Sequence, residues 1–254
     1  MKALIAIASG TFKEGARSRL FWGIVIFAIA MLLSSIVLSE FTFAERYKIV
    51  ADFGLSFISL FGILVAIFVG VELIHREMDK RTIYVILSKP IRRSSFVFGR
   101  YLGLLGIVFV NFVLMTVFLY VLLYLYAQAP DIKLLAAIYG SFLQVIVIAA
   151  SALFFSVFTS PFIAAFATIG IYIIGHSIDI LRGAAAKQTG ITRYILNLTA
   201  TIFPDLSKFD LKVPVVYGEV PPSMTLIFMF VYCLGYALLL MILATIIFER
   251  KEFK

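Results

Sequence analysis

Residues 72–100 have the sequence ELIHREMDKRTIYVILSKPIRRSSFVFGR, the most densely charged stretch of a mostly apolar chain. The stretch holds seven Lys or Arg residues and three acidic ones. Long uncharged runs flank it on both sides, and Lys and Arg beside membrane spans are retained on the cytoplasmic side. The stretch is therefore predicted to form a cytoplasmic loop between two transmembrane helices.

The composition indicates an integral membrane protein. Apolar residues make up 63% of the chain, against about 45 to 50% in soluble domains. The net charge of +8 would also suit nucleic acid, but the basic residues lie beside hydrophobic spans, which favours a membrane surface and no nucleic-acid partner. Cys233 is the single cysteine, so neither a disulfide framework nor a Cys-based metal cluster is available within the chain.

Uncharged runs of membrane length predict an all-α membrane protein with six transmembrane helices. Residues 134–178 form a 45-residue run without formal charge, about 68 Å as a helix and right for two crossings. Ser160 as N-cap and Pro161 at the first helical position mark the break. The predicted spans lie at about 20–39, 53–73, 100–127, 134–158, 161–180 and 223–248, within one domain covering residues 1–254.

Segments outside the spans have helical patterns too. Residues 1–18 place apolar side chains three or four apart, with Lys13 and Arg17 on another face, which predicts an amphipathic helix in the inner membrane interface. The alternative is that these residues form an irregular, partly ordered N-terminal segment. Residues 74–99 are predicted to be the cytoplasmic loop. Residues 181–222 are predicted to be an extracytoplasmic loop with a short interfacial or re-entrant helix between 191 and 202.

Counting basic residues orients the chain. If both termini and the basic stretch share one side, that side holds 14 of the 22 Lys and Arg residues. The positive-inside rule counts basic residues rather than net charge. Both termini are therefore predicted to be cytoplasmic.

The interior of the basic stretch predicts a docking element. Thr82 can cap a short apolar helix through Leu87, and Pro90 prevents its continuation. Such an element, held between two membrane helices, is suited to insertion into a groove on a cytosolic partner. The alternative is a membrane-surface helix whose apolar side chains enter lipid. The chain has no G-x-x-x-x-G-K-[ST] phosphate loop, so any ATPase that drives it is another polypeptide.

Residues 77–100 resemble the cytoplasmic loop of ABC-2 type permease subunits of ABC transporters. The leading amphipathic helix, the six spans and residues 203–210 are similar as well. The resemblance implies that Thr82 to Leu87 is a coupling helix and that residues 1–18 form a connecting helix. The residues that would bind a separate ABC ATPase subunit are Glu77, Arg81, Thr82, Ile83, Tyr84, Leu87, Ser88, Lys89 and Pro90.

The resemblance also implies partners, cofactors and location. It implies a second permease subunit, identical or different, in a bacterial or archaeal inner membrane among lipid. ATP and Mg would be bound by the partner ATPase and no cofactor by this chain. The family commonly exports lipid-linked, polymeric or drug-like substrates, and nothing in the sequence selects one.

Polar residues inside the predicted spans are candidates for a substrate pathway, because unpaired polar groups in hydrocarbon are costly. They are Asn111, Thr116, Gln144 and Ser151. Interhelical hydrogen bonding is the alternative role. No charged residue lies well inside a predicted span, which argues against a proton or sodium relay.

Two residue pairs were considered as ligand sets. Glu72 and His75 lie on one helix face, as in half of a di-metal site, and His176 and Asp179 share a face near the end of the fifth span. With only two histidines in the chain, satisfied interfacial residues are favoured, and neither a metal site nor a catalytic site is predicted. A stand-alone secondary transporter or channel and an intramembrane enzyme are the competing functions.

Overall fold

The computed structural model describes residues 2–40, 46–79, 93–127 and 131–250. The regular elements of this part of the chain are helical, which confirms the all-α membrane class. They are α1 Lys2–Ala16, α2 Arg19–Glu40, α3 Arg46–Asp79, α4 Arg93–Ala127, α5 Leu134–Phe158, α6 Pro161–His176, α7 Ile178–Lys187, α8 Ile191–Ile202, a 3₁₀ turn Ser207–Phe209, α9 Lys212–Val216 and α10 Ser223–Arg250.

Four of the described helices are long and apolar enough to cross a membrane unaided. These spans lie within α3, α4, α5 and α10. Two bent pairs would raise the number to six if each pair forms one span: α1 with α2, bent by 58°, and α6 with α7, bent by 56°. The prediction of six crossings stays a prediction, because length and composition alone support four to six.

α4 runs antiparallel to α3, α5 and α10, so the bundle has two distinct ends. We call the end at which residues 80–92 connect α3 to α4 the basic end, and the other the opposite end. Leu119 of α4 packs over Gly54 near the start of α3, whereas Leu104 packs over Gly70 near the end of α3. The α5–α6 break and the end of α10 therefore lie toward the basic end.

The helices α3 and α5 form the centre of the bundle. Within the most apolar window of each, 72% of the residues are buried, compared with 44% in α4 and 28% in α10. The glycines of α3 make this packing possible, because a Cβ on Gly70 would lie 2.8 Å from the Leu104 side chain. Gly62 receives the Phe112 ring in the same way. These glycines therefore accept side chains of α4 into the surface of α3.

The helix predicted at residues 1–18 forms as α1 and packs along the first half of α4. A Cβ on Gly103 would lie 2.7 Å from the Ala8 carbonyl oxygen, and one on Gly99 would lie 3.2 Å from the Leu4 carbonyl oxygen. The missing side chains let the two backbones approach closely. Because one face of α1 is covered by α4, the helix is part of the bundle and not only a membrane-surface element.

The predicted break after α5 is present. Thr159 and Ser160 are extended, and Pro161 begins α6. Ser160 occupies the N-cap position, but its side chain makes no capping hydrogen bond. The short helix expected between residues 191 and 202 is α8, and α7 precedes it in the region predicted to be a loop.

Substituting Gly103 with Ala should detach α1 from α4. The added methyl group would meet the Ala8 carbonyl and the Thr11 side chain, and overpacking of this kind costs about 1 to 3 kcal/mol. The matched control is Gly235→Ala, because a Cβ at Gly235 meets nothing within 4 Å and Ala favours a helix. We expect Gly103→Ala to lower the thermal unfolding midpoint in detergent and to expose α1 to protease. Equal midpoints for the two variants would contradict this packing.

Candidate functional site

The predicted docking element lies in the sequence between two long helices. Glu77 falls within α3, whereas Arg81, Thr82, Ile83, Tyr84, Leu87, Ser88, Lys89 and Pro90 lie outside the described residues. Since α3 ends at Asp79 and α4 begins at Arg93, this element is joined at both sides to helices of the bundle.

An ion pair fixes α1 to α4 at the basic end. Arg100 donates to Glu14 at 3.2 Å, and the Arg100 side chain is only 5% exposed. Its guanidinium lies 5.5 Å from the ring of Phe96, which stacks on Phe248 of α10 at 5.6 Å. Breaking a buried pair leaves an uncompensated charge, so these contacts join α1, α4 and α10 firmly.

A second polar contact fixes the α1–α2 bend to α3. The Ser18 hydroxyl donates to Glu72 at 3.3 Å, and Ser18 is buried. Glu72, which the sequence places on one helix face with His75, accepts this hydrogen bond from Ser18. The two helices that hold residues 80–92 are therefore both bound to α1 and its bend.

The four predicted pathway residues have different surroundings. Asn111 is fully buried, and its side-chain amide has no hydrogen-bond partner in the described part of the chain. Ser151 bonds back to the Val147 carbonyl of its own helix. Thr116 lines an open apolar groove of about 640 Å³ between the end of α4 and the start of α5. Gln144 contacts His176 at 3.2 Å.

Residues 203–216, which we call the re-entrant segment, fold back into the bundle from the opposite end. Leu206 and Phe209 are fully buried, and the Leu206 N–H donates to the Gly175 carbonyl at 3.0 Å. Gly175 allows this approach because a Cβ there would lie 2.7 Å from the Pro204 carbonyl oxygen. The carbonyl of Phe209 similarly occupies the space beside Gly140 of α5.

Asp205 anchors the re-entrant segment. Its side chain is 2% exposed, and Arg182 of α7 donates to it at 2.6 Å. Lys208 lies 3.6 Å away, and Ser207 donates a further hydrogen bond. Burial alone would raise the pKa of Asp205, but the bonds from Ser207 and Arg182 and the charges of Arg182 and Lys208 outweigh it, so the pKa lies below its usual value.

His176 forms a second polar cluster beside this anchor. One ring nitrogen faces Gln144 of α5, and Nε2 lies 3.6 Å from Asp210. Lys212 lies 3.7 Å from the same carboxylate. Burial raises the pKa of Asp210, but the nearby His176 ring, the Lys212 charge and the Lys212 backbone N–H outweigh it, so the pKa lies below its usual value.

These contacts correct one pairing and add ionisable residues that the sequence analysis missed. His176 and Asp179 were predicted to share a face, but His176 faces Asp210 and Asp179 lies 3.8 Å from Arg182. The charged residues beside His176, Asp210 and Lys212, come from the re-entrant segment. The uncharged sequence of the predicted spans therefore gave no sign that charged groups enter the bundle. Among the described residues no group of three His, Cys, Asp or Glu side chains is arranged to hold a metal ion.

Comparison with known proteins gives one family. The model of a family described as "ABC-2 family transporter protein" matches residues 5–253. No curated protein matches the chain.

Replacing Arg182 with Gln should destabilise the protein in a pH-dependent way. Asp205 would keep a buried carboxylate with fewer donors, at a cost of about 1 to 3 kcal/mol. The pKa of Asp205 is lower in the folded protein than in the unfolded chain, where it is about 3.9. Ionised Asp205 therefore stabilises the folded protein above about pH 3.9, and this stabilisation is lost as the pH falls through the folded-state pKa. In Arg182→Gln the folded-state pKa of Asp205 rises, so the protein begins to lose stability at a higher pH.

The control for this substitution is Arg193→Gln on the exposed face of α8. Thermal unfolding in detergent between pH 4 and 8 should separate the two variants. If the Arg182→Gln protein were as stable as the Arg193→Gln protein throughout that range, the ion pair between Arg182 and Asp205 would contribute nothing to stability.

Proposed function

The chain belongs to the ABC-2 transporter family, and from that premise we propose that it is the permease subunit of an exporter driven by ATP hydrolysis on separate subunits. The observation that carries the proposal is the construction of the basic end. Residues 80–92 are suspended between α3 and α4, and α1 binds both helices through Ser18–Glu72 and Glu14–Arg100. A force applied to this segment therefore acts on three helices together.

In this proposal the basic end faces the cytoplasm. Seven Lys or Arg residues within 72–100 support that orientation, which also places both termini inside. The re-entrant segment then faces the exterior. The cell would be bacterial or archaeal, with the protein in its inner membrane.

The mechanism assigns docking to the segment between the helices. Thr82 to Leu87 would enter a groove of the ABC ATPase subunit, which binds ATP and Mg. Closure of the ATPase subunits would displace this coupling helix, and α1, α3 and α4 would move with it. Because α3 lies at the centre of the bundle, its displacement against α5 would change the packing of the core.

A second permease subunit completes the proposed transporter. Rigid-body movement of one permease against the other, identical or different, would switch access between the two faces of the membrane. Extended apolar surfaces of α6 and α10 support assembly within a membrane, since Phe162, Phe166 and Phe228 are exposed in the single chain. Either lipid or the second permease would cover them.

A charge placed on the coupling helix should abolish binding of the ATPase. Tyr84→Asp or Leu87→Asp would insert a carboxylate into an apolar groove, and burying an unpaired charge is strongly unfavourable. Membrane insertion should be unchanged, because neither residue lies in a predicted span. Co-purification of the ATPase with the tagged permease is the measurement.

The matched control is Ile132→Asp, which places the same charge at an apolar residue 75% exposed at the opposite end. This variant should retain the ATPase. Full retention of the ATPase by Tyr84→Asp and Leu87→Asp would eliminate the docking role.

A further inference from the structure

The polar cluster around His176 lies about halfway across the membrane-spanning bundle. Gln144, which contacts His176, is ten residues after the first residue of α5, Leu134–Phe158. Ten residues of helix rise about 15 Å, and the hydrocarbon core is about 30 Å thick. An ionisable side chain at that depth is costly unless it is paired or has a function.

The position of Cys233 on α10 indicates the same depth for this part of the bundle. The thiol of Cys233 donates to the Leu143 carbonyl at 3.3 Å, and Cys233 is ten residues after Ser223, the first residue of α10. The re-entrant segment lies against the same part of α5, because the Phe209 carbonyl occupies the space beside Gly140. This segment therefore covers the region of the bundle in which Cys233 is buried.

His176 connects three parts of the structure at this point. It is the last residue of α6, immediately before the 56° bend into α7. The groups facing its ring are Gln144 from α5, Tyr172 from its own helix, and Asp210 from the re-entrant segment, with Lys212 bound to the same carboxylate. The His176 side chain is 29% exposed in the single chain.

The contact with Asp210 depends on the charge of His176. A separation of 3.6 Å is too long for a good hydrogen bond from a neutral imidazole but still favourable for an ion pair. The Gln144 amide can serve both forms, because turning it by 180° presents either its NH₂ group or its oxygen to the ring. Protonation therefore adds an attraction between α6 and the re-entrant segment without removing the contact with α5.

We propose that His176 is a proton-binding latch: when protonated it holds the re-entrant segment closed over the bundle through Asp210, and when neutral it releases that segment. The latch rests on the proposed function in one respect, since transport is what its opening would permit. The pairing itself requires neither ATP nor a partner subunit.

Cys233 is a built-in reporter for this latch, because it is the only cysteine of the chain and is buried. The assembled transporter in membrane vesicles is treated with a membrane-impermeant maleimide at pH 5.5 and 7.5, without nucleotide, and labelling of Cys233 is followed over time. Thiol reactivity itself rises with pH, so each rate is divided by that of His176→Gln at the same pH. Glutamine keeps a hydrogen bond to Gln144 but binds no proton in this range.

The labelling rate of the wild type divided by that of His176→Gln should be near 1 at pH 7.5 and about fivefold lower at pH 5.5. A fivefold decrease in the open population is what a partly exposed ion pair of about 1 kcal/mol would cause. Asp210→Asn removes the other charge and should give the same ratios when used as the reference. The same ratio at both pH values against both references would overturn the latch. Labelling only in vesicles of inverted orientation would overturn the proposed orientation and leave the latch intact, so the two failures are distinguishable.

Discussion

Burial of the apolar part of α3 is the constraint on which the rest of the structure depends. The helix is apolar on nearly every face and is enclosed by α4 on one side and α5 on another. Gly54, Gly62 and Gly70 admit large side chains of α4 into its surface. Since α3 ends within the basic stretch, one of the two most buried helices of the bundle leads directly in the chain to the segment proposed to meet the ATPase.

The second constraint is that a bilayer offers buried polar groups no water, and most charged groups within the described bundle are paired. Arg100, Glu14 and Glu72 are engaged at the basic end. At the opposite end Asp205 is buried among donors that come from α7 and from its own segment. Each cluster joins helices that the apolar core alone would leave free to slide. These contacts join α1, α3 and α4 at the basic end, and they join α7 to the re-entrant segment at the opposite end.

The sequence alone predicted the parts of the fold that depend on local patterns. Uncharged runs located the long helices, Pro161 located the break after α5, and the helical spacing of residues 191–202 predicted α8. The amphipathic start predicted α1, but its packing on Gly99 and Gly103 depends on residues nearly a hundred positions away. No local period encodes a contact of that kind.

The candidate site was less predictable for the same reason. The depth of the re-entrant segment and the pairing of His176 with Asp210 arise only when α5, α6 and α10 are assembled. Residues 203–210 fell within the predicted extracytoplasmic loop, although Leu206 and Phe209 beside two aspartates were a signal of partial burial. The proposed docking residues Arg81 to Pro90 lie outside the described part of the chain and remain a prediction from the family resemblance.

Photo-crosslinking from position 84 tests the central claim most directly. A photoreactive amino acid replaces Tyr84, the tagged permease is irradiated in its native membrane, and the adducts are identified by mass spectrometry. Docking predicts a covalent adduct with an ABC ATPase subunit. Adducts with lipid alone, or with proteins accessible only from outside the cell, would contradict it.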